Sequence, residues 1–184
     1  MHEAQFSHVI IAMTTNVLYS TCSWIGAFGP PLSALLIMSY IFEEGLHGWG
    51  FFLLVLWQPL NIFLNEILKW VIHEKRPKNS RNVNDFERLL EGGPGHYGMP
   101  SGHAQLVSSC VVFAYTLGLP NTIVVICIVQ MLITLWQRYI YRKHTKLQLA
   151  FGLLAGAIYS FFFSKFIEKD IDRNNLKLND DSNM

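Results

Sequence analysis

Four stretches of the chain contain no Asp, Glu, Lys or Arg: Ala4 to Phe42, Gly45 to Asn65, Ala104 to Gln137, and Leu147 to Ser164. Nothing else in the sequence limits the fold so strongly. A helix needs about 20 consecutive apolar residues to cross the roughly 30 Å hydrocarbon layer of a bilayer, so these runs are read as membrane segments. The composition, 51% hydrophobic against 15% charged, agrees with a small polytopic membrane protein rather than a soluble domain. A net charge of +1 gives no ground for a nucleic-acid partner.

The run from 104 to 137 is too long for one crossing and is broken at Gly118-Leu-Pro-Asn121, where proline ends a helix and Gly and Asn permit a tight turn. The first run is ambiguous, because Gly26-Ala-Phe-Gly-Pro-Pro31 suits either a kink within one span or a turn between two. The expectation is an all-α membrane helix bundle with five crossings, and a sixth around residues 5 to 25 if that segment is a turn. Residues 1–20 then form an interfacial or extra membrane helix, 21–167 the transmembrane domain with an active-face loop over 74–100, and 168–184 a solvated tail. A cleavable signal peptide would need a basic start, which Met1-His-Glu-Ala does not offer. Cys22, Cys110 and Cys127 lie in apolar runs without CxxC spacing and read as inert buried thiols.

The polar segments carry the chemistry. After Leu64 the second helix gains Asn65, Glu66, Lys69, His73, Lys75 and Arg76 before Pro77 is expected to stop it. Lys69 and Arg76 are separated by about two helical turns, which places both on one face, with Glu66 on the same side. Taken alone, such cations are better read as snorkelling to the headgroups or following a positive-inside bias. The following loop to Met99 is longer than a connection needs and reads as a lid, a substrate-facing segment or a linker. Pro100-Ser-Gly-His103 then opens a helix. Unpaired N–H groups and positive partial charge at such a terminus favour an anion, and Gly102 lets a ligand approach the backbone. A third cluster, Gln137 to Gln148, joins the last two helices.

Counting crossings after residue 48 brings all three clusters out on one membrane face. Lys69, Arg76, Arg138, His103 and His144 thereby meet. Fixed cations and a helix N-terminus suit a dianionic phosphoryl group, and two imidazoles divide the work of nucleophile and general acid. No carboxylate cluster for Mg²⁺ and no zinc-ligand spacing stands among them, so the expectation is phosphoryl transfer with no metal and no cofactor.

Lys69 with Arg76-Pro77, Pro100-Ser-Gly-His103, and Arg138 with His144 together resemble the three-part signature of the type 2 phosphatidic acid phosphatase superfamily, over roughly residues 48 to 165. These membrane enzymes remove phosphate from lipid phosphates and diphosphates. The resemblance implies that His144 attacks phosphorus to give a phosphohistidine and that His103 protonates the leaving oxygen. It also implies that Lys69, Arg76, Ser101, Gly102 and Arg138 hold the phosphoryl oxygens. Two positions depart from the pattern: Gln137 stands where Ser is usual, and Gln148 where an Asp follows the nucleophile. On a helix the latter still faces His144, and its amide oxygen can fix the imidazole tautomer without supplying negative charge.

Leu64-Asn-Glu66, Tyr97-Gly-Met99, Gln105 and Gln148 resemble the dolichyl diphosphate phosphatases, which act at the lumenal face of the endoplasmic reticulum to recycle the carrier for N-glycosylation. That implies a lipid diphosphate substrate and a lumenal active site, a side to which the basic residues of the tail, read as cytosolic, also point. Other lipid phosphates, undecaprenyl diphosphate included, and a non-catalytic lipid-phosphate binder stay open. A transporter needs polar residues deep in several helices, and the spans are read as too apolar for it, Ser108, Ser109 and Thr134 excepted. Gly152 and Gly156 are read as close packing within the bundle. His2, His8, His47 and His73 are read as interfacial, and His96 as within reach of the site.

Overall fold

A computed structural model describes residues 2–81 and 97–173 of the protein. Among the described residues five helices form: α1 (His2–Glu43), α2 (Gly48–Ile72), α3 (Gly102–Thr116), α4 (Asn121–Ile140) and α5 (Lys146–Arg173). The only pairing of extended backbone among them is an isolated antiparallel bridge between Lys75 and Tyr97. The expectations for His96, for the middle of the 74–100 loop and for the tail beyond 173 lie outside the described residues, as do the side chains of His2 and His8.

Among the described residues four helices are long and apolar enough to cross a bilayer. The expected five or six crossings are not matched exactly: five helices form, and four of them have that length. Of the two readings of Gly26–Pro31 the single span holds and the turn does not: α1 runs unbroken through Pro30 and Pro31, so the segment around residues 5 to 25 belongs to the same helix. A proline removes one intrahelical hydrogen bond, but the helix persists where a neighbouring element takes up the freed carbonyl. Helix α3 has 15 residues, which at 1.5 Å per residue is about 22 Å, short of the hydrocarbon thickness. It nonetheless links the two ends of the bundle. Its start lies beside Asn65, and its Phe113 ring stacks 4.0 Å from Trp57, two turns nearer the start of α2.

Glycines set the closest approaches. A Cβ at Gly152 would meet the Ser101 carbonyl at 2.5 Å, and one at Gly156 would overlap the carbonyl of Gln105. Both therefore let α5 lie directly on the first turns of α3, as the packing reading of this pair required. Helix α1 closes on α4 in the same way, since a Cβ at Gly26 would meet Gln137 Cβ at 2.5 Å. The apolar core joins Ile37, Ile41, Leu46, Leu54, Trp57, Phe113 and Ile167. Large apolar side chains cover the outside, among them Phe63, Trp70, Val129 and Phe162, as a lipid-facing surface demands. Beyond Lys165 the tail is helical as far as Arg173, because Ile167 and Ile171, one turn apart, bury themselves in that core.

The interior is less apolar than expected. Gln105 Nε2 donates to Asn61 Oδ1 at 2.7 Å, and Asn65 Nδ2 donates to Gln105 Oε1 at 2.7 Å. Asn61 Nδ2 donates to Gln58 Oε1, Gln58 Nε2 to Ser109 Oγ, and Ser109 shares a 2.6 Å hydrogen bond with Ser160, which also accepts from Trp57 Nε1. Buried amides and hydroxyls of this kind are costly unless paired, and these are paired with one another. The ladder ties α2, α3 and α5 together just beneath the candidate site.

Candidate functional site

Helix α2 ends earlier than proline placement suggests. His73 adopts a left-handed conformation (φ 55°), and its N–H donates to the Lys69 carbonyl, closing the helix at Ile72. Lys69 and Arg76 are consequently not on one helical face: Lys69 lies in the last turn, while Arg76 lies in the extended segment that follows. Lys69 Nζ is 2.6 Å from Glu66 Oε1, an ion pair that leaves the carboxylate exposed and the amine largely covered.

That extended segment carries the site. Gly98 N–H donates to the Glu74 carbonyl at 2.7 Å, alongside the Lys75–Tyr97 bridge, which lays the Gly98 strand over the start of α5. A Cβ at Gly98 would meet Gln148 Oε1 at 2.9 Å and Arg76 Cγ at 3.0 Å. Only glycine lets both side chains close in.

Ser101 is the N-cap of α3, its Oγ accepting from Ala104 N at 3.4 Å, and its own N–H donates to the Gln148 carbonyl at 3.0 Å. Gly102 begins the helix against Asn65, whose Oδ1 a Cβ would meet at 3.0 Å. His103 faces α1: its Nε2 lies 2.9 Å from the carbonyl oxygen of Ala27. Arg138, fully buried in the last turn of α4, donates from Nη2 to that same oxygen at 3.5 Å.

His144 is buried and sits just before α5. Its Nδ1 is 2.9 Å from the Gly98 carbonyl and 3.3 Å from Gln148 Oε1. Both partners accept, so Nδ1 carries the proton and, in the neutral ring, Nε2 carries the lone pair. Gln148 is fully buried and fully used. Thr145 N–H donates to its Oε1 at 3.2 Å while Gln148 N–H donates to Thr145 Oγ1 at 3.2 Å, a reciprocal capping box at the start of α5. Its Nε2 donates to Glu74 Oε1 at 2.7 Å and to the Lys75 carbonyl at 3.0 Å.

The expected residues fall into two groups. Arg76, Ser101, His144 and Gln148 meet around Gly98, and His103 and Arg138 meet at Ala27. Lys69 stands one turn beyond Asn65, whose Nδ2 donates to the Pro100 carbonyl at 3.4 Å. Sequence reasoning missed Glu74, the Gly98 and Ala27 carbonyls, and Lys143, which is as deeply buried as Arg138. The Thr-x-x-Gln spacing of the capping box was legible; a carboxylate brought behind Gln148 from another element, or a backbone carbonyl, leaves no sequence signal. Beside Ala27, Trp24, Ile25, Phe28, Gly29, Leu32 and Gln130 line an apolar groove of about 390 Å³ between α1 and α4.

The arrangement is one of basic side chains and a helix N-terminus around a tautomerically fixed imidazole, which can bind an anion and attack an electrophile beside it. Comparison with curated proteins and with solved structures finds no match. A family model described as the PAP2 superfamily matches residues 48–172, more than half of the chain, taking in α2 through nearly all of α5 and every expected site residue. On that match the chain belongs to the PAP2 superfamily.

Proposed function

We propose that this protein is a metal-independent phosphatase of membrane lipid phosphates whose substrate is a polyprenyl diphosphate of the dolichyl type. Family membership and the four membrane-length helices support a membrane-bound phosphoric ester hydrolase acting on a lipid phosphate. The observation that carries the mechanism is the 2.9 Å contact from His144 Nδ1 to the Gly98 carbonyl. With the proton held there, Nε2 presents its lone pair to phosphorus. Attack forms an N–P bond as the bond to the leaving oxygen breaks, and His103, in its imidazolium form, gives that oxygen its proton. Water then attacks the phosphohistidine, and neutral His103 takes the proton that water loses. Arg76, Arg138, Lys69 and the Ser101–Gly102 helix terminus neutralise the phosphoryl oxygens.

The finer substrate assignment rests on residues that act as sets. Asn65 bonds Gln105, and Gly98 packs on Gln148, so the features that resemble the dolichyl diphosphate phosphatases form two contacting pairs at the site. The apolar groove beside Ala27 suits part of an isoprenoid tail. In this reading the active face is lumenal in the endoplasmic reticulum.

The test is phosphate release by the purified protein in detergent with EDTA, comparing dolichyl diphosphate, phosphatidate and sphingosine phosphate. Dolichyl diphosphate is expected to be preferred, and His144→Ala to abolish turnover. A requirement for Mg²⁺ overturns the mechanism, preference for phosphatidate overturns the substrate, and absence of turnover on all three identifies a lipid-phosphate binder instead.

A further inference from the structure

The residues around His103 include one that no phosphatase pattern predicts. Ala27 belongs to α1, which lies wholly outside the family-matched residues 48–172. Its carbonyl oxygen nevertheless meets His103 Nε2 at 2.9 Å and Arg138 Nη2 at 3.5 Å. Within an α-helix that carbonyl would ordinarily accept the N–H of the residue four positions on. Here that residue is Pro31, which has no N–H. Helix α1 is thus continuous, yet one carbonyl on the side facing α3 and α4 has no intrahelical donor, and two expected site residues from different helices take its place.

We propose that Pro31 is a positioning residue for catalysis: by withholding its N–H it reserves the Ala27 carbonyl for His103 and Arg138, and so sets the tautomer and the charge state of the general acid. The proposal rests on the reading of His103 as that acid. A carbonyl has two lone pairs, enough for the two side chains and not for a third donor. Because it only accepts, it holds a proton on His103 Nε2, and it bonds the cationic ring more strongly than the neutral one. In the imidazolium the proton delivered to the leaving oxygen then comes from Nδ1, and the ring that remains is the neutral form with Nε2–H still on Ala27. The same oxygen holds Arg138 beside it, so the phosphate-binding cation and the proton donor share one anchor. Gly26, which lets α1 close on Gln137, brings that anchor within reach.

Neighbouring Pro30 supplies a matched control. Its missing N–H frees the carbonyl of Gly26, not that of Ala27, so Pro30→Ala and Pro31→Ala make the same chemical change one residue apart. Steady-state phosphate release by the full chain in detergent from the best of the three lipids would be followed against pH for wild type, Pro30→Ala, Pro31→Ala and His103→Ala. Pro31→Ala offers Ala27 a competing backbone N–H. It is expected to lower kcat about tenfold with KM changed less than about threefold, and to move the alkaline limb of the profile down by about one pH unit. Pro30→Ala is expected to keep the wild-type profile. Equal effects from both prolines, or none from Pro31→Ala, overturn the proposal while loss of the alkaline limb in His103→Ala keeps the general-acid reading intact. If His103→Ala retains that limb, the general-acid reading falls and this inference with it; a wild-type chain that turns over none of the lipids overturns the proposed function and this inference together.

Discussion

Gln148→Glu separates shape from charge at the nucleophile. The substituted side chain keeps the length of the original, keeps an oxygen for the Thr145 N–H and His144 Nδ1, and preserves the capping box. What changes is the other end, where an oxygen replaces the amide N–H that stands 2.7 Å from Glu74 Oε1 and 3.0 Å from the Lys75 carbonyl. Two full charges at such a separation repel by about 6 kcal/mol at an effective dielectric constant near 20. The pair avoids this by taking up a proton. For a carboxyl group with an unfolded pKa of about 4.3, that uptake costs about 4 kcal/mol at pH 7 and under 2 kcal/mol at pH 5.5. Glu74 is half-buried, so solvent reduces the pH 7 figure to about 2–4 kcal/mol. The sign follows from linkage: the folded variant binds a proton more tightly than its unfolded chain, so the deficit is largest at high pH and shrinks as pH falls. At roughly 2–4 °C per kcal/mol for a chain of this length, the apparent midpoint of thermal unfolding in detergent is expected about 5–15 °C lower at pH 7 and less than half as far at pH 5.5. Adding Glu74→Gln exchanges the roles of amide and carboxylate and is expected to recover most of the loss. A pH-independent drop, or no recovery in the double variant, would refute the view that Gln148 is there to donate to Glu74 while accepting from His144.

Two further substitutions test how the bundle holds the site. Gly156→Ala places a methyl against the Gln105 carbonyl, pushing α5 from α3, and is expected to destabilise by about 1–3 kcal/mol, read as a lower thermal midpoint; an unchanged midpoint would mean that the helices separate freely. Gln105→Leu leaves the Asn61 and Asn65 side-chain amides without their shared partner and is expected to cost about 1–3 kcal/mol for each group left unpaired, read as a lower midpoint in the same melt; an unchanged midpoint would mean that the ladder does not hold the bundle together.

Much of the site was legible because its chemistry is local in sequence. Ser101 and Gly102 announce a helix start, the histidines stand at helix ends, and the order of crossings brings those ends to one side. The failures also have local causes. Pro77 was read as the stop of α2, but a left-handed His73 stops it first, a backbone choice that β-branched or bulky residues rarely make and that histidine makes only occasionally. Gly26–Pro31 suited either a kink or a turn, and α1 passes through it as one helix, because packing against α4 outweighs the missing hydrogen bonds. Gln58 and Asn61 carried no reading, and Asn65 and Gln105 only a resemblance, since amides three to four apart on one helix disclose nothing about a partner on another.

The sequence by itself determined the all-helical membrane class, the helix ends where the polar clusters stand, and the phosphatase signature, because hydrophobic run length and helix-end chemistry are properties of consecutive residues. Tertiary structure alone decided which acceptors hold the two imidazoles. Gly98 reaches His144 only because its strand folds back along the segment after α2, and Ala27 reaches His103 only because Gly26 and Pro31 bring a backbone carbonyl of α1 without an intrahelical donor against α3 and α4. Such groups have no side-chain identity to read. Their role arises from hydrogen-bond demand that the helices cannot meet within themselves and therefore meet across the bundle.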